Sequence, residues 1–273
     1  MLKPLFPSNV ADFLVALDNT EKCLPRSFPV HYALRFQLEG KFREVKFANF
    51  CYPWPQPTHF CVFCYNPRSA QPQVFLHVPD DFDFQFLSVL AEEYFAKPPG
   101  VLLSALEKPI ADLLVELLEN KGQFLTACYA EMFCMEEPAR KRLMSEILDA
   151  PDGYVWDELT ADDVTAVTEA WPYSSPNEDE AFNLKIAHLP SVCLREENSN
   201  KLAAFEMVAF EGTMNHLFTV PEHRRKGLGT LVEKRLAQKL IEADIIPCKF
   251  TDMEHDDSCK FTKILFEIIL GCG

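Results

Sequence analysis

The sequence predicts a mixed α/β protein, of the α/β or α+β class, and three observations lead there. Strand-like runs and helix-period runs alternate along the whole chain instead of separating into an all-β and an all-α half. The 273 residues are 48% apolar and 25% charged, enough to bury one large core or two modest ones. No low-complexity tract, no short-period repeat and no apolar run near the ~18 residues of a membrane helix interrupts the pattern.

The N-terminal half begins with helical periodicity over 8–21. FPVHYALRF (28–36), FREVKFANF (42–50), HFCVFCY (59–65) and QVFLHV (73–78) are rich in aromatic and β-branched residues and read as strands. YPWPQP at 52–57 is a stiff connector between two of them. FQFLSVLAEEYF (84–95) and LLSALEKPIADLLVELLEN (102–120) carry helical spacing. Pro109 begins a second helix there, because its missing N–H would be unpaired in a first turn anyway. FLTACYAEMFCM (124–135) follows as a strand and EPARKRLMSEIL (137–148) as a helix.

DAPDGY at 149–154 has the turn chemistry of a domain boundary, dividing the chain into 1–150 and 151–273. YVWDEL is a short strand, and Thr160 with Asp163 forms a capping box that opens the helix TADDVTAVTEAW. EAFNLKIAHL (180–189) is a second helix. Strands are expected at SVCLRE, LAAFEMVAF and MNHLFTV, then a helix over 227–243, a strand at PCKFTD and a helix at CKFTKILFEII (259–269).

Twenty-six basic against 41 acidic residues leave a net charge of −15 and a pI near 4.9. That field repels nucleic acid and anionic membrane, so neither is expected as a partner. The N-terminus lacks an Arg-rich face and a small-residue cleavage site, and reads as neither a signal nor a transit peptide. Most of the ten cysteines lie inside apolar runs, as buried reduced thiols would in an intracellular protein.

Against this acidic background TVPEHRRKGLGT (219–230) stands out, with two of the chain's nine glycines directly after Arg224, Arg225 and Lys226. The following helix places Leu228, Val232, Leu236 and Leu240 on one stripe. N–H groups at a helix start lack internal partners and sit at the positive end of its dipole. Glycine removes the side chain that would hold a phosphate off that backbone. Strand, cations, glycines and helix together describe a pyrophosphate cradle. The G-x-x-x-x-G-K-[ST] and G-x-G-x-x-G patterns are both absent; the pattern present is R-x-x-G-x-G, through Arg224, Gly227 and Gly229.

That pattern, with LFTVP before it and an amphipathic helix after it, resembles the acyl-CoA motif of the GCN5-related N-acetyltransferase superfamily. FPVHYALRF, LTADDVTAVTEAWPY with HLPSVCLRE, and TVPEHRRKGLGTLVEKRLAQKL follow the order seen in the glycine N-acyltransferase-like family. The resemblance implies the acetyltransferase fold over 151–273 and a degenerate copy of it over 1–150. It implies acyl-CoA as co-substrate, held by Phe218, Thr219, Val220, Arg224, Arg225, Lys226, Gly227, Leu228, Gly229 and Thr230. A strand amide near Thr219 would polarise the thioester carbonyl. The acceptor would be the amine of glycine or another small amino acid, the protein a monomer, and the compartment mitochondrial; the missing transit peptide points instead to the cytoplasm. A polyamine or lysine acceptor and a catalytically weak acyl-CoA binder are the other readings.

The acceptor half departs from the family. Its catalytic base stands eleven residues before the motif arginine, which here is Thr213; some relatives use the position of Asn215. Neither titrates near neutrality. Glu211 and Glu206 are the carboxylates that could act through water, and His216 lies one residue off the expected face. Phe266 stands where many relatives have a proton-donating tyrosine, and the chain ends at EIILGCG where a last strand pair is expected. No metal is expected: Cys61 and Cys64 of CVFC point to opposite faces of a strand, and DMEHDDS (252–258) lacks calcium-loop spacing.

Overall fold

The computed structural model describes residues 3–43, 45–53, 57–65, 73–79, 84–95, 101–122, 130–172, 178–252 and 268–272. The chain forms two units, Met1–Glu131 with Gly271–Gly273, and Met132–Leu270. The second unit thus begins at Met132, ahead of the DAPDGY turn that the sequence suggests. The cause is a strand, β6 (Ala130–Cys134), and a helix, α5 (Glu137–Met144), which join elements far downstream.

In the first unit the elements run β1 (Lys3–Leu5), α1 (Val10–Glu21), α2 (Phe28–Leu38), β2 (Lys46–Pro53), β3 (Pro57–Tyr65), β4 (Gln73–His77), α3 (Phe84–Leu90), β5 (Leu102–Ser104) and α4 (Lys108–Glu119). A five-residue π turn, Ala91–Phe95, extends α3. The sheet order is β1-β2-β3-β4-β5, antiparallel throughout except for the parallel pair β4 and β5. Cys61 and Cys64 lie in β3, paired with Leu76 and Gln73 of β4. Helix α4 has Pro109 in its first turn, as expected, and buries Ile110, Leu114 and Leu118 at i, i+4, i+8 against Phe86, Leu87 and Leu90 of α3.

Residues 28–36 are helical, not a strand. Pro29 occupies the first turn, where its fixed φ suits a helix. Eight residues of α2 are buried, from Phe28 to Phe36, so the segment shows no polar face and no period to read.

The second unit repeats the order of the first. After β6 and α5 come β7 (Tyr154–Asp157), α6 (Val164–Glu169), α7 (Glu178–His188), β8 (Ser191–Glu196), β9 (Leu202–Val208), β10 (Met214–Thr219), α8 (Leu228–Glu242), β11 (Cys248–Asp252) and β12 (Ile268–Cys272). In each unit a strand, two helices and three antiparallel strands are followed by a helix and a further strand. The predicted capping box is present: Asp163 accepts from the Thr160 N–H at 2.8 Å and from its hydroxyl at 3.0 Å. Arg195 clamps the same carboxylate through both terminal nitrogens, at 3.0 and 2.7 Å, and reaches Asp157 at 2.6 Å.

The antiparallel sheet β10-β9-β8-β7 buries two faces. Cys193, Phe205 and Met207 pack with Val167 of α6 and Phe182 of α7. On the opposite parity Val192, Leu194, Ala204 and Val208 are buried toward α8, whose Leu228, Val232, Leu236 and Leu240 are nearly inaccessible.

Two features were not foreseen. The helix expected over 259–269 lies largely outside the described residues, but its last two positions belong to β12. Strand β11 pairs with β6, which in turn pairs with β12, in the order β11-β6-β12, so a strand drawn from upstream stands beside β11 where a C-terminal strand pair was expected. A disulfide joins Cys134 of β6 to Cys248 of β11, with Cα atoms 4.2 Å apart. It overturns the expectation of reduced thiols for that pair; Cys51 and Cys193 remain buried and free.

Candidate active site

The sheet of the second unit opens at one place. Strand β11 lies beside β10 but pairs with β6, while among the described residues β10 pairs with β9 alone. The corresponding strands of the first unit, β4 and β5, are hydrogen-bonded from Gln73↔Leu102 to Phe75↔Ser104. That copy is closed where the second is open. Its connection after β4 reads PDDFD, without glycine or cation.

The R-x-x-G-x-G turn stands at the mouth of the opening. Gly227 is in the left-handed region at φ 78°, which a Cβ disfavours, and it caps α8. Gly229 serves a different purpose: a Cβ there would lie 3.3 Å from Thr219 Oγ1, so its absence lets α8 start against the end of β10. The first helical bond is donated by Leu231 to the Gly227 carbonyl, leaving the N–H groups of Leu228, Gly229 and Thr230 without helical partners. A cavity of about 210 Å³ lies over them, lined by Thr219, Arg224, Arg225, Gly227, Leu228, Gly229 and Thr230.

The three cations divide their work. Arg224 donates from Nε to the Thr219 carbonyl at 3.0 Å and lies over the Phe218 ring, so it holds the strand end. Arg225, at φ 65°, lines the cavity and makes no ion pair among the described residues. Lys226 turns away: it donates to the Tyr154 hydroxyl at 2.9 Å, and that hydroxyl contacts His223 Nδ1 at 2.9 Å. Phe218, Val220 and Lys226 do not line the cavity. The Val220 N–H is committed to Ala203 of β9 at 2.9 Å. Strand alternation then turns the Thr219 N–H toward the open edge.

Where the family base is expected, Thr213 Oγ1 donates to Glu211 Oε1 at 2.6 Å, and both residues are buried. Burial lifts the Glu211 carboxyl above its ordinary range, opposed by the Thr213 hydrogen bond and the charge of Lys185. Asn215 pairs with Met207 just before a bulge in β10 that ends at Phe218. His216 occupies that bulge at φ 60°, its ring among those of Trp171 (4.7 Å), Phe205 (5.1 Å) and Phe182 (5.3 Å). Neither ring nitrogen has a hydrogen-bond partner among the described residues. Burial, with the Lys185 charge, pushes this imidazole down to about 4, so it is neutral and weakly basic near pH 7.

Glu206 is not part of this group. It is fully buried on the α8 side of β9, 3.6 Å from Lys249 Nζ, which itself contacts Glu233 at 2.5 Å. Burial pushes Glu206 up to about 8, with Lys249 opposing and Glu233 reinforcing the shift. Sealed in that triad, it has no route to an acceptor amine. The sequence shows Glu206, Glu233 and Lys249 as unrelated positions; only the packing of β9, α8 and β11 brings them together. Phe266 and residues 253–258 of DMEHDDS lie outside the described residues. Among the described residues no group of three or more His, Cys, Asp or Glu is placed to hold a metal ion, and no helix is long and apolar enough to cross a membrane.

Residues 191–272, which contain the open edge, the turn and α8, match the family model described as FR47-like protein. Solved structures match much more of the chain. A Drosophila protein from a structural genomics consortium aligns with a TM-score of 0.80 at 14% identity, over 99% of this chain and 95% of its own. A tandem GNAT protein from the clavulanic acid biosynthesis pathway, solved without AcCoA, aligns at 0.59 and 12% identity, over 98% and 94%. A GCN5-related N-acetyltransferase from Kribbella flavida aligns at 0.56 and 17% identity, over 87% and 93%. The chain therefore carries the GCN5-related N-acetyltransferase superfamily fold twice, the second copy with an open sheet and a glycine turn, the first with neither.

Proposed function

We propose that this chain is an acyl-CoA-dependent N-acyltransferase whose acceptor is glycine or a similarly small amino acid. The observation that carries this reading is the row of helix-start N–H groups, under a cavity walled by Arg225, beside the unpaired edge of β10. Such a row suits a pyrophosphate, and the open edge suits an extended amide-bearing arm. Leu228, Gly229, Thr230 and Arg225 would hold the phosphates, and the Thr219 N–H would face the arm. Acyl-CoA, when bound, supplies an activated thioester.

The residues of this chain then handle a proton and a carbonyl. As the nitrogen of the neutral amine bonds to the acyl carbon and the carbon–sulfur bond breaks, CoA leaves as its thiolate and the amine gives up one proton. Thr213 Oγ1 can accept it while passing its own proton to Glu211 Oε1, along a hydrogen bond already formed. Glu211 thus supplies the basicity that threonine lacks at the family's base position. Its raised pKa makes it a stronger base than an ordinary carboxylate. The glycine preference rests on the sequence resemblance.

The test is direct. The purified protein is titrated with CoA in a calorimeter, then incubated with acetyl- and longer acyl-CoAs and a panel of glycine, other small amino acids, spermidine and a lysine peptide. The proposal expects CoA binding and N-acylated amino acids by mass spectrometry. CoA binding without any acylated amine would leave an acyl-CoA binder, and no CoA binding would remove the reading altogether.

A further inference from the structure

One cation near Glu211 and Thr213 has no role in the proton path or the phosphate cradle. Lys185 of α7 holds its ammonium 4.9 Å from the Phe182 ring centroid and 5.2 Å from that of Phe210. It makes no hydrogen bond or ion pair among the described residues, in a chain with 41 acidic side chains against 26 basic ones. Many of the other lysines on this chain do pair, among them Lys234 with Glu146 and Lys121 with Glu92. Two aromatic faces therefore hold in place an ammonium that has no contact ion pair among the described residues.

Phe182 links this charge to a second unsatisfied group, since it also packs on His216, whose nitrogens are unpartnered and whose side chain is more than nine-tenths buried. Phe210, the other ring under Lys185, directly precedes Glu211 in the chain, so Lys185, His216 and Glu211 gather around one locus. A basic end, a neutral imidazole and a fixed ammonium suit a ligand with an amine at one end and an anion at the other. A polyamine or a lysine side chain would meet a like charge there.

We infer that Lys185 recognises the carboxylate of an amino-acid acceptor and so sets the acceptor class. This rests on the acyltransferase reading above and adds the group that selects among amines. Recognition consists of charge-assisted hydrogen bonds from Nζ to the carboxylate while the amine faces Thr213.

The experiment compares glycine with glycinamide, which keeps the amine and lacks the carboxylate, in wild type, Lys185→Met and Lys185→Arg. Methionine retains an apolar stem over Phe182 and Phe210. A hydrogen bond to a charged group, removed, costs tenfold or more. The ratio of kcat/KM for glycine over glycinamide should therefore fall at least ~10-fold in Lys185→Met, chiefly through the KM for glycine, and be restored largely by Lys185→Arg. Thermal melting checks that each variant is folded, and Lys185→Gln replaces the methionine variant should that one melt early. An unchanged ratio, with both amines slowed alike, makes Lys185 a packing residue and overturns the inference. Wild-type protein that acylates neither amine overturns it as well. CoA calorimetry on the same sample then shows whether the acyl-CoA site fails with it or stands alone.

Discussion

Replacing Gly227 by valine separates the fold from the cradle. At φ 78° a residue with a Cβ is strained by roughly 1–2 kcal/mol, and a β-branched one by more. A Cβ built at this position meets no heavy atom within 4 Å, so no packing clash is added. Unfolding free energy should thus fall by about 2 kcal/mol, and the domain should still fold. To relieve the strain, valine must leave the left-handed region. That turns the peptide plane between residues 227 and 228 and spoils the convergence of the Leu228, Gly229 and Thr230 N–H groups. Each such donor to a phosphate contributes about 1.5–3 kcal/mol, so loss of one weakens CoA binding by about tenfold to a hundredfold. Calorimetric titration with CoA, beside a denaturant melt of the same sample, reads both numbers. A folded Gly227→Val protein with wild-type CoA affinity would refute the reasoning, because the phosphate would then be held elsewhere. Gly229→Ala is the useful contrast, since its added Cβ presses on Thr219 Oγ1 at 3.3 Å in ordinary helical backbone.

The cations should differ in the same assay. Arg225→Ala should lose CoA affinity and flatten its salt dependence, whereas Lys226→Ala, whose ammonium is spent on Tyr154, should change both much less; equal effects would contradict the assignment. The buried triad makes stability fall with rising pH. Glu206 has its folded pKa raised to about 8 from an unfolded value of 4.5, so the folded state holds the extra proton between those limits and its advantage is lost as pH climbs through them. Glu206→Gln should weaken this dependence, the remainder belonging to Glu233, whose carboxyl burial also raises, and stability-versus-pH curves that run parallel for the two proteins would show that Glu206 titrates normally. Arg195→Met strands the buried Asp163 carboxylate and should cost on the order of 3–5 kcal/mol, measured by urea melts; a loss under 1 kcal/mol would mean that the capping box alone satisfies that carboxylate.

The sequence made the donor side of the site legible because that side is local. Cations, two glycines and the stripe of α8 lie within a few turns of chain, and the capping box of Thr160 and Asp163 spans three residues. Helix α4 was readable for the same reason, with Pro109 and a clean apolar stripe. Helix α2 was not, since burial on nearly all sides erased its period and its aromatic content imitates a strand. The rest depends on distant partners. Cys134 and Cys248 are 114 residues apart, and no local pattern announces that β6 will pair with β11. The same pairing moves the unit boundary ahead of the Gly153 turn. Glu206 looked like a candidate base because its ion triad is assembled from three elements, and Lys226 looked like a phosphate ligand because Tyr154 lies far away in sequence. Glu211 was weighed from sequence as a carboxylate near the expected base, but its bond to Thr213 appears only in the folded turn.

The central claim is that Glu211, through Thr213, provides the basicity for acyl transfer to an amino acid. The most direct measurement is the rate of glycine-dependent thiol release from acetyl-CoA, followed from pH 6 to pH 10, in wild type, Glu211→Gln and Thr213→Glu. The account predicts that Glu211→Gln loses about 10²–10⁴-fold at neutral pH and recovers toward high pH as free amine accumulates. Wild type should lose rate as pH falls and Glu211 takes up its proton, while Thr213→Glu brings no gain, because a carboxylate is already in place. A Glu211→Gln enzyme as fast as wild type at pH 7, or a Thr213→Glu enzyme markedly faster, would contradict it.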